Sequence, residues 1–194
     1  MEYPLQLVFK LFALAPQIKV TGSDGRLVFY VKQKLFKLKE AVTVFSDEEQ
    51  TKPLCYINAD RIIDFSAHYK FTDLQGAPLG SVKRQGMKSL WRARYDIYEN
   101  SSPGMTIQEA NPWSKVFDSI LGEIPILGLL TGYFFHPVYH VLSADGSLVM
   151  SLEKRRSIFE SRFTIQRHAE LSPSDELRLI LSVIMMVLLE RSRG

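Results

Sequence analysis

The sequence predicts a mainly β protein, a closed antiparallel β-barrel of about twelve strands wound around an apolar C-terminal helix. Three observations predict it. Short runs of apolar and β-branched residues alternate with polar ones along most of the chain, most clearly in Arg92-Ala-Arg-Tyr-Asp-Ile-Tyr98 and Phe163-Thr-Ile-Gln-Arg167, as half-buried strands do. Turn signals separate these runs: Asp24-Gly25, Gly76 and Asp145-Gly146 have the chemistry of hairpin loops. The C-terminal stretch reads as a helix that is apolar on every face, and such a helix must be surrounded by protein or lipid.

Taken in order, the candidate strands are 5–11, 17–21, 27–32, 41–45, 54–58, 67–72, 79–84, 92–98, 105–109, 138–142, 148–152 and 162–167. Three units resemble one another. Val20 to Gly25 leads into Leu27 to Lys32, Phe71 to Gly76 into Leu79 to Arg84, and Val141 to Gly146 into Leu148 to Lys154. Each reads as strand, glycine turn, strand, basic connection and a further strand, which points to one sheet built by repetition. Asn111-Pro112 followed by an apolar run and Gly122 has a cap, a proline at the first helical position and a glycine past the end, so a short helix is expected over about 112–121.

The central helix is expected over about 174–191. Ser172 can cap it, Pro173 gives up an amide hydrogen the helix has no use for, and Asp175 and Glu176 meet the positive end of the dipole. Arg191 and Arg193 close it at the negative end. Apart from Arg178 and Ser182 the helix is apolar; at the α-helical rise the segment 174–191 is roughly 27 Å long, yet its apolar stretch, 179–189, covers only about 16 Å of the ~30 Å hydrocarbon core of a bilayer. The helix is therefore expected to thread a barrel, which hides its own edges and needs a filler. The whole of 1–194 is read as one barrel domain.

Composition removes several classes of function. The chain has 194 residues, 24 Lys+Arg against 21 Asp+Glu, 46% hydrophobic and 23% charged residues, which is the make-up of an ordinary globular protein and not of a disordered one. A net charge of +3 is too small for nucleic-acid binding by bulk charge, so no nucleic-acid partner is expected. Cys55, the one cysteine, rules out an internal disulfide framework and any multi-cysteine metal site. Ala13-Leu14-Ala15 imitates a cleavage site, but the acidic start and Lys10 argue against export, and a cytoplasmic location is expected.

A barrel of about twelve strands around an apolar C-terminal helix resembles the tubby C-terminal fold. Val31-Lys-Gln-Lys-Leu-Phe-Lys-Leu38 and Ser23-Asp-Gly-Arg-Leu-Val28 look most like the LURP-one-related branch, whose relatives include the phospholipid scramblases. The resemblance runs from the first strands to the terminal helix. It implies the fold and an association with membranes and anionic lipid headgroups; it implies no shared catalytic mechanism. Two departures limit it. No D-x-[DN]-x-[DN]-G calcium loop is present, and the basic residues with which tubby proteins hold phosphoinositide do not align one by one, so none is carried over.

Catalysis has little support in the residues. There is no G-x-S-x-G elbow, P-loop or G-x-G-x-x-G, and Ser66-Ala67-His68 has no acid that need converge on it. His136 and His140 are the nearest approach to a metal pair, and with no third ligand neither a metal nor any other cofactor is expected. Cys55 reads as a small buried residue. Basic residues do recur: Lys32 and Lys34, then Lys83, Arg84 and Lys88, then Lys154, Arg155 and Arg156 follow the strand after each glycine turn. Gathered at one barrel end they would attract lipid phosphate; solvated connections in any β protein are also rich in such residues. The stretch 120–135 carries only Glu123 as charge, so it either caps the barrel or offers Leu129, Leu130 and Phe134 for apolar contact. The expected function is a non-enzymatic binding module, peripheral to a membrane through anionic lipid or phosphoinositide. The alternative is a soluble protein-interaction or scaffolding domain; the sequence leaves the oligomeric state open.

Overall fold

The computed structural model of the protein describes residues 1–10, 17–32, 42–60, 68–85, 94–99, 101–110, 138–155, 157 and 160–191. Twelve strands form one antiparallel meander: β1 (Leu5–Lys10), β2 (Gln17–Thr21), β3 (Leu27–Lys32), β4 (Val42–Phe45), β5 (Pro53–Ala59), β6 (His68–Thr72), β7 (Pro78–Arg84), β8 (Arg94–Tyr98), β9 (Pro103–Glu109), β10 (Val138–Ser143), β11 (Leu148–Arg155) and β12 (Glu160–Arg167). Each pairs with the next in sequence, and β1 pairs with β12, which closes the barrel and leaves no free edge. The helix α1 (Pro173–Arg191) follows β12. Every candidate strand thus has a counterpart. The short helix expected over about 112–121 and the apolar stretch 120–135 lie outside the described residues.

One boundary changes the reading of the basic residues. β11 runs on to Arg155, so Lys154 and Arg155 do not follow the strand but belong to it, paired with Phe163 and Arg162 of β12. The ladder continues because β12 begins at Glu160 and supplies partners that far. Strand alternation then decides where each basic side chain points.

The three units share one hairpin. In β2–β3 the Gly22 amide donates to the Arg26 carbonyl (2.9 Å) and the Gly25 amide to Gly22 (3.0 Å). The same two bonds join Asp73, Ala77 and Gly76 in β6–β7, and Ser143, Ser147 and Gly146 in β10–β11. An aspartate braces each loop: Asp24 accepts from the Arg26 amide, Asp73 from Ala77 and Asp145 from Ser147. The register slips by one residue just before each loop, and the glycines take φ of 78°, 87° and 86°. That is a turn closed by a glycine bulge, a conformation glycine adopts without a Cβ clash. The repeat is real and lies in the turn chemistry.

Inside the barrel the helix does the filling. From Leu179 to Leu189 every side chain is buried, against inward-facing residues such as Leu7, Val20, Val44, Ile57, Phe71, Ile107, Val141, Leu152 and Ile165. Many outward positions are polar instead, among them Gln6, Lys10, Gln17, Lys19, Lys70, Lys83 and Gln108, with Val8, Leu54 and Tyr56 interspersed. This apolar-in, polar-out arrangement is the reverse of what a bilayer-spanning barrel presents to lipid. Among the described residues no helix is long and apolar enough to cross a membrane.

Where the helix enters, Glu176 and Arg178 are both buried. Arg178 is only 5% exposed; its Nε donates to the Leu79 carbonyl (2.9 Å), while its two terminal nitrogens reach Asp175 and Glu99. The side chain fits because Gly80, inward-facing on β7 at φ 125°, has no Cβ: one placed there would lie 2.6 Å from Arg178 Cδ and 2.7 Å from the Tyr98 carbonyl. Gly80→Ala should therefore lower stability by about 3 kcal/mol in urea titration, combining overpacking with backbone strain. Gly104→Ala, which meets open space, should change it by less than about 0.5 kcal/mol. Met186→Asp, placing an unpaired charge at a 1% exposed site in the lumen, and deletion of 177–194, which empties it, should both abolish cooperative folding; a cooperative transition in either protein would contradict the plugged barrel.

Candidate functional site

An up-and-down meander sorts its connections between two ends. Turns from an even strand to the next odd one, whose described residues are 22–26, 46–52, 73–77, 99, 101–102 and 144–147, lie at the end where the helix enters. Lys32 closes β3, Lys83 and Arg84 close β7, and Lys154 and Arg155 close β11, all of them odd strands, so all five lie at the opposite end. In the barrel order these strands are four apart. The five residues accordingly share one rim, spaced around it by thirds, and do not form a single patch.

Alternation divides them again. Lys32, Lys83 and Arg155 face outward and are exposed. Arg84 and Lys154 face inward, in register with Tyr95 and Phe163. Arg84 is 6% exposed; its guanidinium lies 3.6 Å from Glu190 near the end of the helix and 5.9 Å from the Tyr95 ring centre. The Tyr95 hydroxyl donates to the same Glu190 carboxylate, and burial, then that carboxylate, holds the phenol well above its ordinary range. Arg84 thus fastens the end of the helix to β7. Arg155 pairs with Glu153 (3.4 Å) and donates to Thr164 Oγ1 (3.1 Å), yet stays more than half exposed. Lys34, Lys88, Arg156, Leu129, Leu130 and Phe134 lie outside the described residues.

The sequence reading missed Lys10. It closes β1 at the same rim, exposed, and flanks Gln17 across the ladder from Lys32. The signal was available, since Gln6, Val8 and Lys10 are the outward positions of an alternating strand. It also missed the charge of the opposite end. The described residues of the five turns carry Asp24, Asp47, Glu48, Glu49, Asp73, Glu99 and Asp145 against Arg26 and Lys52. The approach to the helix adds Glu170, Asp175 and Glu176 against Arg167 and Arg178. With a net charge of +3 for the whole chain, the positive excess must reside in the remainder. The aspartates had been accounted for as turn residues one at a time, which hid their common sign.

Two serine–histidine pairs recur at one repeat position. Ser81 and Ser151 each stand five residues after their turn glycine, and each hydroxyl lies 2.8 Å from a histidine Nε2, of His68 and His168. Both serines are buried. Asp60 accepts from the His68 backbone amide, as a turn residue does. Burial above all, with Lys83 and Lys70, lowers the His68 pKa against the opposing pull of Asp60. The pairs tie strand edges together. Among the described residues no three His, Cys, Asp or Glu side chains are placed to share a metal ion; the pair His136 and His140 includes a residue outside that set. Cys55 is 1% exposed, and burial pushes its thiol up to about 12.

The family model for LURP-one-related proteins matches residues 27–167, from the start of β3 to the end of β12. The chain belongs to the LURP-one-related family, within the tubby-like C-terminal superfamily. No curated protein and no solved structure matches it.

The buried hydroxyl and thiol groups set the alkaline limit. Cys55 and Tyr95 have raised pKa values in the folded state, so above the ordinary thiol value the unfolded chain loses protons that the native chain keeps, and stability falls as pH rises. The urea midpoint should decline steadily from about pH 9 toward pH 12. At pH 8 a thiol reagent should modify Cys55 only after denaturant is added; immediate reaction with the native protein would contradict its burial.

Proposed function

We propose that this LURP-one-related barrel is a non-enzymatic binding module that docks end-on to an anionic lipid surface through its basic rim. The whole chain acts as one module, peripheral to a membrane on its cytoplasmic side. The observation that carries the reading is the topological one: Lys32, Lys83 and Arg155 are outward-facing, exposed and on a single rim, with Lys10 beside Lys32. The filled lumen supports it too, because a core packed with Leu179 to Leu189 has no room for an internal ligand, and recognition falls to the outer surface.

Electrostatics gives the direction of docking. A barrel with carboxylates clustered at one end and cations spread over the other experiences a torque near a negative surface, which turns the basic rim toward the bilayer. A basic residue near such a surface contributes about 1 kcal/mol, and the attraction fades over a Debye length of about 10 Å at 0.1 M salt.

Vesicle flotation tests this. The protein should float with phosphatidylserine-containing vesicles at low salt, less at moderate salt, and not with neutral phosphatidylcholine. Replacing Lys32, Lys83 and Arg155 together with glutamine should weaken association about 100-fold, from the loss of three contributions of ~1 kcal/mol. In end-on docking the three single variants weaken it by similar factors, because the rim meets the surface as a ring. A loss concentrated in one of them would indicate docking on the side of the barrel, and equal flotation with neutral vesicles would contradict the reading.

A further inference from the structure

The end remote from the basic rim holds a cavity of about 390 Å³, between the β8–β9 and β10–β11 turns and the start of the helix. That is within the range of pockets that take small groups, about 300–1,000 Å³. Its floor is apolar, with Met105, Val149 and Leu171 among the residues lining it, and its rim carries Glu99, Asp145 and Glu170. An apolar floor under a carboxylate rim is the complement of a side chain with an apolar stem and a cationic head.

The buried Arg178 does not reverse this. Its donors are committed to Leu79, Asp175 and Glu99, which hold the guanidinium against the barrel wall and leave it no open face for an anion. Asp145 stays ionised, its pKa held down to about 2 first by the Ser143 hydroxyl and then by Ser147. Glu170 is exposed and has no hydrogen-bond or ion-pair partner among the described residues. The negative charge at the mouth of the cavity is thus fixed, accessible and only partly compensated.

We infer that this cavity is a docking site for a protein partner that inserts one arginine or lysine side chain flanked by an apolar residue. The inference goes beyond lipid docking and does not rest on it. The two sites lie at opposite ends of the barrel, so one molecule can hold a membrane surface and a cationic partner at once.

The probe is the blocked tripeptide acetyl-Leu-Arg-Leu-amide, added to the isotope-labelled full chain and followed by amide chemical shifts. Shifts should centre on Glu99, Met105, Ser147 and Leu171, and weaken with salt. The citrulline counterpart, of nearly the same shape but uncharged, and acetyl-Ala-Arg-Ala-amide, which keeps the charge without the apolar flanks, should each bind at least about fivefold more weakly. Glu170→Gln, a change at an exposed residue, should weaken the arginine peptide about threefold and leave the spectrum of the free protein otherwise unchanged. Absence of shifts, shifts centred elsewhere, or equal binding of the citrulline or alanine peptide would each overturn the inference. Lipid flotation is read separately, so either conclusion can fail without the other.

Discussion

A helix with no polar face is the constraint on which the rest of the molecule depends. From Leu179 to Leu189 only Ser182 is polar, and the stretch is too short for a bilayer, so the chain must supply an enclosure. A sheet closed on itself supplies it, and closure also removes the unpaired edges that an open sheet of this length would expose. Each half solves the other's problem: the barrel hides the helix, and the helix fills a lumen that would otherwise be a large apolar void. Charged groups at the two ends of the helix are fastened, while the buried Ser182 hydroxyl donates to the Arg178 carbonyl. Arg178 is held where the helix enters and Glu190 where it leaves, by Leu79, Glu99 and Asp175 at one end and by Arg84 and Tyr95 at the other.

From the same topology follows the placing of the described charges. In a meander, residues at the close of odd strands share an end, and so do the turns that follow even strands. The tight turns need Asp and Gly for their geometry, which makes one end acidic as a by-product of turn chemistry. At the other end, among the described residues, basic side chains close β1, β3, β7 and β11, while Glu109 closes β9 and Glu160 opens β12. The proposed docking of lipid at one end and that of a cationic partner at the other would each use its own rim.

Much of the fold was legible because its signals are local or absolute. Strand alternation, the Asp-Gly turns and the apolarity of the helix, too short for a bilayer, together leave few architectures. The candidate site was less legible, because its geometry depends on register. Lys83 and Arg84 are neighbours in sequence, yet one points to solvent and the other into the lumen, and only the ladder tells which. Lys154 and Arg155 were placed beyond a strand that in fact includes them, since a terminal run of polar residues looks like a connection until its partners on β12 are known. Gly80 gave no signal at all. Its importance lies in Arg178, which is distant in sequence and meets it only across the barrel.

Backbone hydrogen exchange of the full chain tests the central claim most directly, that helix and barrel are one cooperative unit with the helix as its core. The account predicts that amides of residues 179–189 exchange only through global unfolding, at the same free energy as the best-protected amides of β1, β11 and β12, and that both lose stability together as urea is added. Exchange of the helix at a markedly lower free energy than the strands would mean that the barrel stands without it, and would contradict the account.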